Sequence, residues 1–304
     1  MSSGRGQFGR ILGFAAIAVV FAVVQPFLLV GVPLALLLIA HGPHGVRSGI
    51  IATAILVMAF LGDRSGLWWF ERGWALVLAG TFVWTVGWRP GWSFSAQSLA
   101  ALGLTVAAAA LILATSPSVW LDVDALMTAR VSQSAQTAAE VIGTSANDVV
   151  VSLMQRVVAF QVLVFPALLG VSSIGALGVA VAVRAWLRGD SGSVFGKLRS
   201  FRFNDHLVWF WLLGLILVLT PVGPVAERVG GNAVFFMGAL YVLRGMAVLL
   251  SLVGGISVTA GILGGLVAVL LYPILALMLS IMLIVGLGDT WLNVRSRVNR
   301  DSGE

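Results

Sequence analysis

The chain contains no cysteine, so it can build no disulfide, no thiolate metal site and no thiol nucleophile. Charge is also scarce. Only 10% of its 304 residues are charged, against roughly 25% in an ordinary soluble domain, which excludes a globule with a normally solvated surface. Lysine is almost missing: Lys197 is the only one among 18 basic residues, so the net charge of +6 is carried by arginine. Nucleic-acid binding needs a free basic face, and the pattern offers none. With no H-E-x-x-H pair, and with His41-Gly-Pro-His44 lacking a third ligand nearby, no metal is assigned.

Apolar sequence fills the space that charge leaves. Hydrophobic residues make up 59% of the chain, and the mean hydropathy is +1.03. Apolar runs of about 18 or more residues recur along nearly the whole length, each long enough to cross a bilayer as a helix. The expectation is an all-α fold: one integral membrane domain over 1–304, a polytopic helical bundle of about eight or nine spans.

Residues 11–40 are apolar apart from Gln25-Pro26 and Pro33, too long for one straight span, and are read as a helix pair divided near Pro26. Arg5 and Arg10 precede them as in an uncleaved signal anchor. Further spans are expected at 48–62, 73–88, 97–115, 149–186, 207–221, 232–253 and 257–287, with Trp68 and Trp69 in an interfacial belt. The segment 116–148 differs in kind. Val123, Leu126, Met127, Val131, Ala135, Ala138 and Val141 recur mostly at three- and four-residue steps among Asp122, Asp124, Arg130 and Glu140, which predicts an extramembrane amphipathic helix over 121–142. Arg184, Arg188, Lys197, Arg199 and Arg202 make 184–205 the most basic loop and mark it as cytoplasmic. Arg295, Arg297 and Arg300 place the C-terminus on that side too, which the parity of the spans does not reproduce.

The stretch Gly286-Leu-Gly288-Asp289 has the opening of an intramembrane aspartyl protease, but that chemistry needs a second intramembrane aspartate to share the proton. Every other acid lies in a loop, a terminus or the amphipathic segment. No catalytic residue, cofactor or enzymatic activity is assigned. What remains is polar sequence at membrane depth. Arg244 falls near the middle of a span, where a guanidinium costs about 2.5–3.5 kcal/mol unless paired or hydrated, so it is expected to face the interior. Gln155 and Gln161 join it as candidate substrate-binding residues. Arg156 is read as snorkelling to an interface. Asp289, Trp291 and Arg295 are read as the boundary where the last span meets water, with Asp289 gaining a further role if it turns inward onto a basic residue.

Two segments, FRFNDHLVWFWLLGLILVL at 201–219 and GLGDTWLNVRSRV at 286–298, resemble the YybS-like family of bacterial polytopic membrane proteins. The resemblance implies the bacterial inner membrane and a relation to the substrate-binding components of energy-coupling-factor vitamin transporters. It therefore implies a small-molecule substrate and a membrane partner subunit, which Ala18 and Ala22 at small-x-x-x-small spacing would dock. Two readings stay open. In one the chain binds or transports a small metabolite with Arg244 in the site. In the other it is a structural or assembly protein, embedded in lipid, whose polar residues only lock helices together.

Overall fold

The computed structural model describes residues 25–42, 46–61, 64, 66–142, 148–189, 201–252 and 272–292. Among the described residues the regular structure is helical throughout, as expected: α1 Pro26–His41, α2 Val46–Phe60, α3 Trp68–Trp88, α4 Phe94–Thr115, α5 Pro117–Ile142, α6 Asp148–Leu187, α7 Val208–Leu219, α8 Pro224–Leu252 and α9 Tyr272–Leu292. Prolines 26, 117 and 224 open helices, where the missing N–H would have no partner in any case. Among the described residues four stretches are long and apolar enough to cross a membrane: Phe94–Thr115, Val158–Leu187, Pro224–Leu252 and Leu275–Leu292. Three shorter apolar helices, Phe27–His41, Val46–Phe60 and Asp205–Leu219, accompany them.

The described residues fall into two compact units, one within Val19–Gln136 and Ala146–Gly192, the other within Thr137–Ser145 and Ser193–Glu304. In the first, α1 is central and packs on α2, α3 and α6, while α4 packs on α3 and α6. Val32, Ala35 and Leu37 of α1 and Ala75, Leu78 and Phe82 of α3 are wholly buried. Polar side chains in these helices turn onto carbonyls or onto each other. Thr81 reaches Thr105 at 3.1 Å across α3 and α4, Thr105 donates to the Ala101 carbonyl at 2.8 Å, and Trp74 Nε1 donates to Ser173 Oγ at 3.0 Å. In an apolar medium each such bond avoids the cost of an orphaned polar group.

The amphipathic segment forms as expected, starting four residues earlier at Pro117. It is held by a narrower stripe than the periodicity suggests. Val123, Met127 and Val131 are buried at four-residue steps, whereas Leu126 is exposed. Trp120 stacks on Phe165 of α6 at 5.5 Å, and Arg130 pairs with Glu71 of α3, so the helix is fastened to its unit by a few specific contacts. Trp68 corrects the expected interfacial belt. It is buried, with the Arg72 guanidinium 4.6 Å and that of Arg64 5.6 Å from its ring, and only Trp69 is exposed. A cation over an indole face is attracted by the ring quadrupole, which favours the two guanidiniums against the buried ring.

At 40 residues α6 is about 60 Å long, twice a hydrocarbon core, and its apolar part Val158–Leu187, about 45 Å, is by itself long enough to cross a bilayer. In the second unit α8 begins eight residues before the expected 232, because Pro224 and Glu227 supply a good helix start. The second helix of the pair expected over 11–40 is α1, and the first, ahead of Pro26, lies outside the described residues.

Candidate functional site

The second unit is built on two glycine crossings. Gly214 of α7 faces Gly230 of α8 so closely that a Cβ on Gly230 would lie 2.7 Å from the Gly214 carbonyl oxygen. Further along α8, a Cβ on Gly245 would run into the Met282 carbonyl, and one on Gly286 into that of Tyr241. Lipid offers no hydrophobic drive for helices to associate, so close backbone approach and polar bonds must hold them together. Here the first permits the second. With α9 drawn against α8 at Gly286, Asp289 one turn further on reaches Arg244, the neighbour of Gly245.

Arg244 is fully buried and each of its three nitrogens donates to an acceptor of the protein. Nε donates to Asp289 Oδ2 at 2.9 Å, Nη2 to the Asp289 backbone oxygen at 3.2 Å, and Nη1 to Asp205 Oδ1 at 2.5 Å. The Asp289 carbonyl belongs to the last turn of α9, whose carbonyls have no partner within the helix, so Arg244 also caps that helix. Phe203 lies under the guanidinium at 5.5 Å and meets Tyr241 edge-on at 5.2 Å. Arg202 holds the other Asp205 oxygen at 3.2 Å. Two arginines and two aspartates therefore balance within one cluster.

Asp205 lies in the 3-10 turn ahead of α7, where Asn204 accepts from the His206 N–H. Burial would raise its carboxyl. The hydrogen bond and charge of Arg244, followed by those of Arg202, more than offset burial and hold it below the ordinary carboxylate range. A depressed carboxylate contributes stability that is complete above its unfolded value and is lost as pH falls through the folded one. Thermal stability of the protein is thus expected to drop on acidification below about pH 4, and Asp205→Asn should flatten part of that acid limb. An unchanged acid limb in the variant would rule out the contribution.

The expected inward position of Arg244 is what the structure shows. Asp289 takes the inward alternative: it is 2% exposed, and α9 continues past it to Leu292. It is therefore an interior residue of the unit in the last turn of α9, where the ion pair with Arg244 offsets part of the cost of taking the carboxylate out of water. Trp291 is exposed near the helix end. Gln155 and Arg156 are exposed in the part of α6 before its apolar stretch, while Gln161 is buried within that stretch. Gln155 and Gln161 belong to the first unit and Arg244 to the second. Ala18, Ala22 and Arg295 lie outside the described residues. Sequence reasoning missed Asp205, Phe203, Gly245 and Gly286 as members of the site. The available signal was FRFND and GLGD, the openings of the two segments quoted for the resemblance, which converge on Arg244.

Gln161 carries a buried side-chain oxygen with no hydrogen-bond partner among the described residues. A cavity in the same unit, lined by Gln25, Phe70, Glu71, Trp74, Met127 and Leu169 among others, has about 20 Å³, room for about one water.

Apolar helices of spanning length, polar side chains satisfied inside helix pairs and a charge cluster enclosed between glycine crossings define a polytopic helical membrane protein. The chain belongs to the family described as predicted membrane protein (DUF2232), whose pattern matches residues 10–290 and so includes the whole Arg244 cluster. No curated protein and no solved structure matches the chain.

Proposed function

We propose that the chain is a structural or assembly protein of the bacterial cytoplasmic membrane, in which the Arg244 cluster locks the C-terminal helices together. The observation that carries this reading is the complete enclosure of the guanidinium: no part of it is exposed, and its donors go to Asp289 and Asp205. An anionic metabolite at Arg244 would have to displace two carboxylates that already neutralise it. A relation to the YybS-like proteins and to vitamin-transporter components is compatible with the membrane class, but a substrate contact at Arg244 is not what this geometry favours. The test is mild-detergent purification followed by mass spectrometry of released small molecules. The structural reading expects no anionic metabolite whose retention depends on Arg244, and no co-purifying ATPase. A metabolite held by the native protein and lost from a folded Arg244→Gln variant overturns it.

Gln161 supports a second reading, small-molecule binding within the first unit. A buried amide oxygen without a partner costs about 1–3 kcal/mol unless something binds it. On the structural reading Gln161→Leu should raise stability by about 1 kcal/mol, measured as a higher midpoint in detergent. A fall in stability, together with loss of a co-purifying compound, would favour the binding reading.

A further inference from the structure

Several arginines of the described residues meet a carboxylate. Arg72 and Arg130 meet Glu71, Arg202 meets Asp205, and Arg244 meets Asp205 and Asp289. Arg184 and Arg188, near the end of α6, have no carboxylate partner among the described residues. Arg184 is half-buried and directs Nη2 to the His41 carbonyl at 3.1 Å, closing the last turn of α1. Its Nε is buried without a hydrogen-bond partner, and so is Nδ1 of His41. The charges of both Arg184 and Arg188 act on His41. Arg184 and His41 thus meet at the ends of α6 and α1 with no carboxylate against them among the described residues.

The surroundings say where this notch lies. A Cβ on Gly87 would be 3.7 Å from His41 Nε2, so α3 ends beside α1. Just beyond it Arg89 lies over the exposed Trp88 ring at 4.8 Å, and Trp92 and Trp186 are exposed as well. Tryptophans and arginines together at the ends of apolar helices are the composition of the headgroup level of a bilayer. A part-buried guanidinium without a counter-charge is costly, and its fork of N–H donors matches a phosphate better than any other common anion there.

We propose that His41, Arg184 and Arg188 form a site for the phosphate of an anionic phospholipid headgroup, with the flanking tryptophans seated among its neighbours. The site is independent of the Arg244 cluster. Capping α1 through Nη2 leaves the charge of the part-buried Arg184 guanidinium without a counter-ion among the described residues, and the exposed Arg188 supplies the second charge.

The full-length protein is offered equal amounts of phosphatidylglycerol and phosphatidylcholine with the same acyl chains, and lipids retained after detergent exchange are counted by native mass spectrometry. Phosphatidylglycerol should be retained preferentially, and Arg184→Gln and Arg188→Gln should each weaken that preference by about fivefold. Arg156→Gln, an exposed arginine elsewhere on α6, should leave it unchanged. Arg188 is exposed and caps nothing, so its variant keeps the test open even where loss of the Arg184 cap prevents folding. Equal retention of the two lipids, or an undiminished preference in the Arg188 variant, overturns the site. Displacement of the lipid by excess inorganic phosphate assigns the notch to free phosphate and overturns the lipid assignment.

Discussion

Replacing Arg244 with methionine is expected to cost about 3–5 kcal/mol, because it leaves the Asp289 carboxylate buried and without its cation. Replacing both members, Arg244→Met with Asp289→Leu, should restore most of the loss. The reason is the size of opposing terms. Removing a buried arginine relieves its desolvation penalty, and a well-packed apolar pair is often as stable as the ion pair it replaces. Asp205 adds little to the deficit of the double variant, since it is partly exposed and keeps Arg202. Thermal unfolding followed by fluorescence-detected size exclusion in detergent checks both variants. A single variant as stable as the native protein would show that the cluster is not a lock. A double variant as unstable as the single one would show that Arg244 does more than answer Asp289.

The second large effect concerns two glycines only two residues apart. Gly286→Ala places a methyl against the Tyr241 carbonyl oxygen, and backbone cannot rotate away as a side chain would. The helices must separate, which lengthens the Arg244–Asp289 bonds as well as the crossing. The expected loss is about 3 kcal/mol, at the upper end of ordinary overpacking because a polar contact goes with it. Gly288→Ala meets open space and removes a helix-interior glycine, so it should be neutral or stabilising by up to about 1 kcal/mol. Their midpoints should therefore move in opposite directions or differ widely. Equal tolerance at both positions would mean that α8 and α9 do not cross at Gly286.

These results bear on how much of the molecule can be read along the chain. The helical membrane class was legible throughout, because bilayer thickness and helix rise translate directly into lengths of apolar sequence. So was the amphipathic helix at 117–142, although its true contact stripe is Val123, Met127 and Val131. Arg244 announced itself by being charged where charge is costly. Asp289 was harder: an acid at the end of an apolar run reads as a boundary until its partner is known. Trp68 and Trp69 are adjacent and chemically identical, yet one is buried under arginines and the other exposed, and no local rule separates them.

The sequence by itself determined the solvent of this protein, the type of its secondary structure, and the need of one intramembrane guanidinium for a partner. All three follow from local hydrophobicity and from period. Only the tertiary structure decided that the partners are Asp289, 45 residues away, and Asp205, 39 residues away in the opposite direction. It also made Gly286, rather than the acid beside it, the residue that brings them together. The reason is that an ion pair between helices is set by where their backbones can touch, and that depends on which glycines face each other across the crossing.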